Sequence, residues 1–502
     1  MMDHHRPLGD LKRKTALSIL WTIVRTGSDY LFSFAVFAVL ARKLGPAAFG
    51  VYALAVAFAE IGKILPTSGL IDTLTRARRV TPEMADTVFW ATMALSCLVA
   101  GITTAVAPLL ASAFGAPAVA PLLTALGWIV PITAAGATHM ALKLREFGHR
   151  SLASRSVVSG LLGGGAALAA AYAGWGPWSL VVQRGVSEVA GTAMAWQAHR
   201  WMPGRRVSGA MLREMAGLSA SMTGTQLLNV ALVRVQDVVI GRVIGAAAVG
   251  VYRTALRTVD LIAQAAILPF AQVSLPALAN LQDDLPSFRK AYLRLISVSG
   301  ALAFPAIIGF AVLAPAAVPL IFGDRWMASA KIAQILGLLA VPFTLNRFAG
   351  PALAALNQTA TLARLAALQV TLSIVLSIAA APYGLTAMAW AYVLRAYLTL
   401  PVQMRAFKKH SGLGYGAVLR SIAPALAMAT VMAISLLGLG HVVGDRFHSR
   451  ALFLAFMCAV GAVLYGGALL LFARGFVLQQ LGDFRLLLPN GRARLSSADA
   501  RP

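Results

Sequence analysis

Two stretches decide how this chain folds: VLARKLGPAAFGVYALA at Val39–Ala55 and VIGRVIGAAAVGVYRTA at Val239–Ala255. They are offset by 200 residues and agree at nine of seventeen positions, where chance agreement in a chain so rich in Ala, Gly and Val is roughly one in ten. The shared residues are Val39, Arg42, Gly45, Ala47, Ala48, Gly50, Val51, Tyr52 and Ala55. A repeat at this offset predicts a fold built from two related halves.

A second match occurs at a similar offset. The dipeptide FG at 114–115 pairs with FG at 322–323, and LGWIVPIT at Leu126–Thr133 resembles LGLLAVPFT at Leu336–Thr344. Both matches fall at equivalent breaks in two sets of six apolar runs. Because six is even, the two copies have the same orientation and are parallel repeats about an axis along the membrane normal. Chance recurrence of small-residue packing motifs is the alternative interpretation.

The composition is that of a membrane protein. Of 502 residues, 59% are hydrophobic and 12% are charged, and the mean hydropathy is +0.75. The apolar runs are continuous, so backbone hydrogen bonding in lipid requires helices. We therefore predict an all-α integral membrane protein with about 14 transmembrane helices, at Thr15–Leu40, Ala47–Leu70, Met84–Ala113, Val119–Leu142, Ser154–Ala173, Trp178–His199, Ala216–Ile244, Ala248–Leu275, Ala291–Ile321, Ile332–Leu356, Thr361–Pro382, Leu385–Phe407, Ala417–Leu439 and Ala451–Phe472.

These spans form two parallel-repeat six-helix bundles plus two C-terminal helices. With the N-terminus inside, about 28 Lys and Arg residues fall on the cytoplasmic side and about 7 on the other, a bias that also places the C-terminus inside. The predicted divisions are a cytoplasmic N-terminus 1–14, a first bundle 15–200, a cytoplasmic linker 201–213, a second bundle 214–410, two additional helices 411–475 and a cytoplasmic tail 476–502.

The formal net charge of +25 does not indicate nucleic-acid binding. The basic residues are scattered between apolar runs, whereas a nucleic-acid binder concentrates them on one soluble face. Cys97 and Cys458 both lie inside apolar runs, so the sequence indicates neither a disulfide nor a metal framework. No catalytic residue, metal site or cofactor is expected.

Charged residues inside the predicted spans are the candidate functional residues, since each costs roughly 2.5–3.5 kcal/mol on insertion scales. Several are spaced to pair on one helix face, as Arg25 with Asp29, Glu60 with Lys63, and Arg184 with Glu188. The cations are Arg25, Lys63, Arg184, Arg234, Arg253, Arg257, Arg347 and Arg395, and the acids are Asp29, Glu60, Glu188, Asp237 and Asp260.

A net-positive cavity suits a diphosphate, because arginine offers a planar fork to phosphate oxygens. We hypothesise a cationic cavity that binds substrate, lined by Arg25, Arg234, Arg253, Arg257, Arg347 and Arg395. The carboxylates would hold those cations when substrate is absent or titrate with a coupling ion, and they are Asp29, Glu60, Asp237 and Asp260. For any single residue the alternative is a self-neutralised bridge or a side chain that snorkels to the interface.

The chain also resembles a known family, over most of residues 15–410. The resemblance is carried by LARKLGPAAFGVYALAVAF, RRVTPEMADTVFW, LKLREFGHRSLASRSVV and GWGPWSLVVQ in the first half, and by RVQDVVIGRVIGAAAVGVYRTA, PALANLQDD and LIFGDRWMASAKIAQILG in the second. These segments look like the polysaccharide transporter family, the lipid-linked oligosaccharide flippases of the multidrug/oligosaccharidyl-lipid/polysaccharide (MATE-like) flippase superfamily. The resemblance implies two six-helix bundles, a V-shaped central cavity and, often, two added C-terminal helices.

The function implied is the movement of a polyprenyl-diphosphate-linked glycan from the cytoplasmic to the periplasmic leaflet of the bacterial inner membrane, for exopolysaccharide, capsule or O-antigen synthesis. Expected partners are that glycan lipid, membrane lipids, a coupling H+ or Na+, and the polymerase and other envelope glycan assembly proteins. The alternatives are a cation-coupled drug or toxin antiporter of the related multidrug branch and a membrane-embedded glycan polymerase or ligase. The arginine-rich interior argues against the antiporter, and the short predicted outer loops argue against the enzyme.

Overall fold

A computed structural model describes residues 8–77, 79–146 and 149–472. The side chains of residues 8–31, 149–153, 269, 272–273, 359, 445 and 472 lie outside the described part. The described chain is helical throughout, without a strand. Its α-helices are α1 Leu8–Thr67, α2 Gly69–Arg76, α3 Pro82–Ala113, α4 Val119–Arg145, α5 His149–Tyr172, α6 Trp178–Ala198, α7 Gly209–Val243, α8 Ala246–Ala279, α9 Leu285–Phe322, α10 Met327–Gly337, α11 Ala340–Ala355, α12 Thr359–Ala380, α13 Leu385–Ser411, α14 Tyr415–Val443 and α15 Arg450–Phe472.

Helix α1 contains the first predicted span and most of the second, joined at a kink. Gly45 interrupts it with φ 76° and ψ 173°, and Pro46 follows at the start of the second segment. Gly245, its repeat mate, has φ 111° and ψ 166° and precedes α8. Only glycine adopts such a backbone conformation without strain, so the repeat at Gly45 and Gly245 preserves a turn as well as a sequence.

Eight helices of the described part are long and apolar enough to cross a membrane, or nine if α10 and α11 form one broken span. That pair bends by 61°, where the sequence predicted the single span Ile332–Leu356. Gly337 ends α10 and Pro342 lies in the first turn of α11, which is where a helix tolerates proline. The all-α membrane prediction is confirmed, whereas the count of fourteen and the division into domains stay predictions.

We call α1–α6 the first half and α7–α13 the second half, and the two sets of helices meet where α1 packs on α8. A Cβ atom added to Gly50 would lie 1.7 Å from the carbonyl oxygen of Ala246, and one added to Gly250 would lie 2.1 Å from that of Pro46. Gly50 and Gly250 are equivalent in the repeat, as are Pro46 and Ala246. The two copies therefore pack on each other about a pseudo-twofold axis, and we call this crossing the Gly50–Gly250 contact.

Aromatic residues pack between the two halves near the Gly50–Gly250 contact. We call this end of the molecule the Gly45 end. The ring centroid of Phe322 lies 5.5 Å from that of Phe37, and the ring centroid of Trp326 lies 5.6 Å from that of Phe49. The buried indole of Trp326 also donates a hydrogen bond to the carbonyl oxygen of Ala41 at 3.0 Å. Phe322 and Trp326 belong to the second half and their partners belong to the first. These contacts therefore hold the two halves against each other at the Gly45 end.

The halves also touch at the opposite end, which we call the Gly69 end. Gly69 N–H donates to Thr223 Oγ1 at 3.2 Å, and the hydroxyls of Thr73 and Ser219 are 3.0 Å apart. Buried Leu74 and Met215 pack beside them. These contacts join α2 of the first half to α7 of the second. The candidate site lies between the two closed ends.

The segment between the halves is bound to the first half. Gly204 N–H donates to the Asp86 carboxylate at 2.8 Å, and Ser208 N–H donates to Thr87 Oγ1 at 3.0 Å. The indole of Trp90 donates to the carbonyl oxygen of Gly204 at 2.8 Å. These bonds hold the start of α7 against α3. The last two helices pack on the second half through α9, where Tyr465 of α15 donates to the carbonyl oxygen of Ala301 at 2.8 Å.

Candidate functional site

Four charged residues join α1 to α6 inside the first half. Lys63 Nζ lies 2.9 Å from Glu188 Oε1, and an Arg184 guanidinium nitrogen lies 2.7 Å from Glu60 Oε1. Arg184 Nε also lies 3.3 Å from Glu188. The pairing of Arg184 with Glu188 one turn away follows the sequence spacing, but Glu60 and Lys63 bond across the helices instead of to each other. We call these four residues the first-half charge cluster, and their formal charges cancel.

A small cavity with room for about one water molecule lies beside this cluster. Its polar lining consists of the first-half residues Tyr52, Glu60, Lys63, Thr133 and Arg184, and its remaining wall is apolar. All of these residues come from α1, α4 and α6. A search for charged residues in the sequence missed Tyr52 and Thr133, although Tyr52 lies in the repeated segment.

The second half has a different arrangement, centred on Asp237. The Asp237 side chain is fully buried, and Arg253 donates to both of its carboxylate oxygens. Arg234 lies 3.5 Å from the same carboxylate. Two of the predicted lining arginines thus share one aspartate, a paired arrangement that a buried carboxylate requires. This group retains one net positive charge.

Arg257, one turn beyond Arg253 on α8, points to the first half. Its guanidinium donates to Ser33 Oγ at 3.3 Å and lies 5.0 Å from the centre of the Phe37 ring. Among the described side chains no carboxylate lies within ion-pairing distance of Arg257, and the residue is exposed. Arg257 therefore presents a cation, with no carboxylate partner among the described side chains, where α8 of the second half faces α1 of the first.

Asp260 and Arg347 form a looser pair. Their nearest charged atoms are 4.0 Å apart, and the side chains are 42% and 45% exposed. Gln264 also donates a hydrogen bond to the Asp260 carboxylate. A long, solvent-exposed pair contributes little to stability, so Arg347 is free to exchange Asp260 for another anion.

Arg395 lies on α13, close enough to the buried Tyr252 to interact with it electrostatically. It is 7% exposed, its guanidinium stacks 4.4 Å from the centre of the Tyr392 ring, and its Nε has no hydrogen-bond partner among the described residues. Arg395 is thus buried in the packing of α13. Arg25 and Asp29 lie on α1, where side chains are outside the described part, so the predictions for these two residues stay predictions.

The charge of the described site is asymmetric. The first-half charge cluster is neutral, whereas four second-half arginines face two aspartates and leave an excess of two positive charges; the second-half residues are Arg234, Arg253, Arg257, Arg347, Asp237 and Asp260. An anion entering between the halves is therefore attracted to the second half. No group of three His, Cys, Asp or Glu able to hold a metal ion occurs among the residues that the structure describes.

Comparison with known proteins finds relatives that are named for polysaccharide transport or biosynthesis. The chain is 27% identical over 321 residues to the succinoglycan biosynthesis transport protein ExoT of Rhizobium meliloti (strain 1021), covering 64% of each chain. It is 23% identical over 331 residues to the lipopolysaccharide biosynthesis protein WzxC of Escherichia coli (strain K12), covering 65% of this chain and 67% of the relative. The match to the succinoglycan protein thus spans just under two thirds of that protein's length.

Solved structures share the fold. The inward closed conformation of the lipid II flippase MurJ superposes with a TM-score of 0.74 at 12% identity, covering 90% of this chain and 99% of that chain. An inward-facing multidrug resistance MATE family transporter of the MOP superfamily gives a TM-score of 0.60 at 15% identity, covering 77% and 94%. At these identities the likeness concerns the fold alone. The model of the polysaccharide biosynthesis protein family matches residues 39–331, which is more than half of the sequence. The chain therefore belongs to that family.

Proposed function

We propose that this multi-pass membrane protein is a flippase that moves a polyprenyl-diphosphate-linked oligosaccharide across the bacterial inner membrane by alternating access, for exopolysaccharide, capsule or O-antigen biosynthesis. The observation that carries the proposal is Arg257, an exposed cation without a described carboxylate partner, placed where the two halves face each other. Relatives named for succinoglycan transport and lipopolysaccharide biosynthesis support the same substrate class.

The physical argument concerns the diphosphate. A polyanion cannot cross the hydrocarbon core unless its charge is compensated on the way. Arg257 offers a guanidinium fork to phosphate oxygens, and Arg347 becomes available when a phosphate replaces the distant Asp260 carboxylate. The Asp237 group adds a further positive charge that remains paired. The oligosaccharide and its diphosphate thus travel between the halves while the polyprenyl tail stays in lipid. The transport requires no covalent chemistry.

The distribution of Lys and Arg supports a cytoplasmic N-terminus, which places the Gly45 end at the periplasmic face and the Gly69 end at the cytoplasmic face. Alternating access then requires the two ends to open in turn. The Gly50–Gly250 contact separates the site from the periplasm, and the Gly69 end separates it from the cytoplasm. In the described conformation the two halves are in contact at both ends, and we assign it to an intermediate of the transport cycle. We propose H+ or Na+ as the coupling ion, with Asp29, Glu60, Asp237 and Asp260 as candidate carboxylates.

The test is leaflet exchange of a fluorescent polyprenyl diphosphate oligosaccharide in liposomes that contain the purified protein. We expect exchange above that of empty liposomes, and a loss of at least tenfold in Arg257→Gln. The matched control is Arg242→Gln, which removes the same charge from an exposed position near the end of α7. Exchange equal to that of empty liposomes, or equal losses in both variants, would refute the proposal.

A further inference from the structure

Phe37 of the first half lies directly against Arg257, the cation that we assign to the diphosphate. The central carbon of the Arg257 guanidinium lies over the Phe37 ring, 5.0 Å from its centre, and the guanidinium donates to Ser33 Oγ at 3.3 Å. Ser33 and Phe37 are four residues apart, one turn of α1. Both contacts therefore reach from α8 of the second half to α1 of the first, where we place the substrate.

The repeat offers a comparison for this contact. Phe37 stands 200 residues before Asp237, so the ring and the carboxylate occupy equivalent sequence positions in the two halves. Asp237 accepts from Arg253 with both of its oxygens, which uses guanidinium donors and neutralises the charge. An aromatic ring attracts a guanidinium through its face and occupies none of its five N–H donors. Arg257 is thus held by a ring, and it keeps its charge and most of its donors for another ligand.

The Phe37 ring is itself held in place. It is buried, and its centroid lies 5.6 Å from that of Phe49 and 5.5 Å from that of Phe322, with interplanar angles of 83° and 68°. Edge-to-face contacts of this kind are favourable, and a ring packed among them has little freedom to move. The exposed Arg257 side chain, by contrast, has several rotatable bonds. Phe37 therefore gives a long side chain a fixed surface to lie on.

We infer that Phe37 is a positioning residue for diphosphate binding: its ring holds the Arg257 guanidinium between the halves before the substrate arrives. The inference rests on the proposed function and deepens it. Ordering a free arginine side chain lowers binding affinity, and a side chain that is already ordered avoids this loss. Phosphate oxygens bond to the N–H groups at the edge of a guanidinium, which leaves its face on the ring. Phe37 thus raises the affinity without touching the substrate.

The experiment measures the Kd of a fluorescent polyprenyl diphosphate for the purified full-length protein with fluorinated phenylalanines at position 37. One, two or three ring fluorines progressively weaken the negative potential of the ring face and change its shape little. We expect the Kd to rise with each fluorine, reaching about three- to tenfold for the trifluoro ring. The matched control is the same series at Phe34, which also lies on α1 and packs 6.1 Å from Phe322 between ring centroids. That series should show no trend.

A double-variant cycle tests whether Phe37 acts through Arg257. In Arg257→Gln the trifluoro ring should change the remaining affinity no further, because no cation is left for the ring to hold. An unchanged Kd across the series, an equal trend at Phe34, or the same loss in Arg257→Gln would overturn the positioning role. A Kd that falls with fluorination would also overturn it, since the ring would then compete with phosphate. If the unmodified protein does not bind the probe, or Arg257→Gln binds it equally well, the proposed function itself fails and the role of Phe37 falls with it.

Discussion

A single methyl group at Gly50 should force the Gly45 end open. The Cβ atom of Gly50→Ala would lie 1.7 Å from the carbonyl oxygen of Ala246, and since real contacts of this kind are not shorter than 3.0 Å, α1 and α8 must separate by about 1.3 Å. Both atoms are fixed by helix backbone, so no side chain can rotate to make room. Overpacking of this kind costs about 1–3 kcal/mol, which shifts an equilibrium between closed and open forms about 5- to 150-fold towards the open form.

The assay is labelling of a cysteine in the cavity by a membrane-impermeant maleimide applied from the periplasmic side. Ala59→Cys supplies the target, in a protein whose exposed Cys97 and Cys458 are replaced by serine. Labelling should be faster in Gly50→Ala. The matched control is Gly101→Ala, because a Cβ at Gly101 meets nothing within 4 Å. Equal labelling rates in the two glycine variants and in the parent would refute the assignment of the Gly50–Gly250 contact as a gate.

Three further predictions concern the charged residues. Arg257→Lys should retain part of the leaflet exchange that Arg257→Gln loses, because the charge remains and the planar fork does not; full exchange in the lysine variant would argue against phosphate recognition. Asp237→Asn should lower the free energy of unfolding by about 3–5 kcal/mol, since it breaks a buried ion pair. Asp260→Asn should lower it by less than about 1 kcal/mol, because its pair with Arg347 is exposed. Thermal unfolding of both variants in detergent measures the two losses of stability, and losses of similar size would contradict the prediction. Exchanging both charges, Lys63→Glu with Glu188→Lys, should recover thermal stability lost by either single variant, and additive losses would show that the 2.9 Å pair contributes nothing.

The sequence was sufficient for the all-α class and for the turn that the two halves share, whereas the single predicted span Ile332–Leu356 is two helices in the structure. Continuous apolar runs predicted helices, and the Gly45 and Gly245 repeat predicted equivalent turns, because backbone sterics depend on local sequence alone. The predicted break between the first two spans corresponds to the kink at Gly45. The sequence also placed charged residues at membrane depth, since an ionisable residue inside an apolar run is visible by inspection.

The ion-pair partner of each charged residue was not predictable from the sequence. Helical spacing suggested that Glu60 pairs with Lys63, yet each bonds to a residue of α6, because the orientation of α6 against α1 is a tertiary property. The burial of Arg395 in α13 and the contact of Gly50 with Gly250 likewise depend on helix packing. Tyr52 lines the first-half cavity but carries no charge, so a search for charged residues missed it.

The central claim is that the diphosphate binds between the two halves at Arg257, and the most direct measurement is an experimental density map of the protein with a polyprenyl diphosphate oligosaccharide bound. The account predicts phosphate oxygens at about 2.7–2.9 Å from the Arg257 guanidinium nitrogens. Headgroup density on the lipid-facing surface, with Arg257 paired to a carboxylate of the chain, would contradict it.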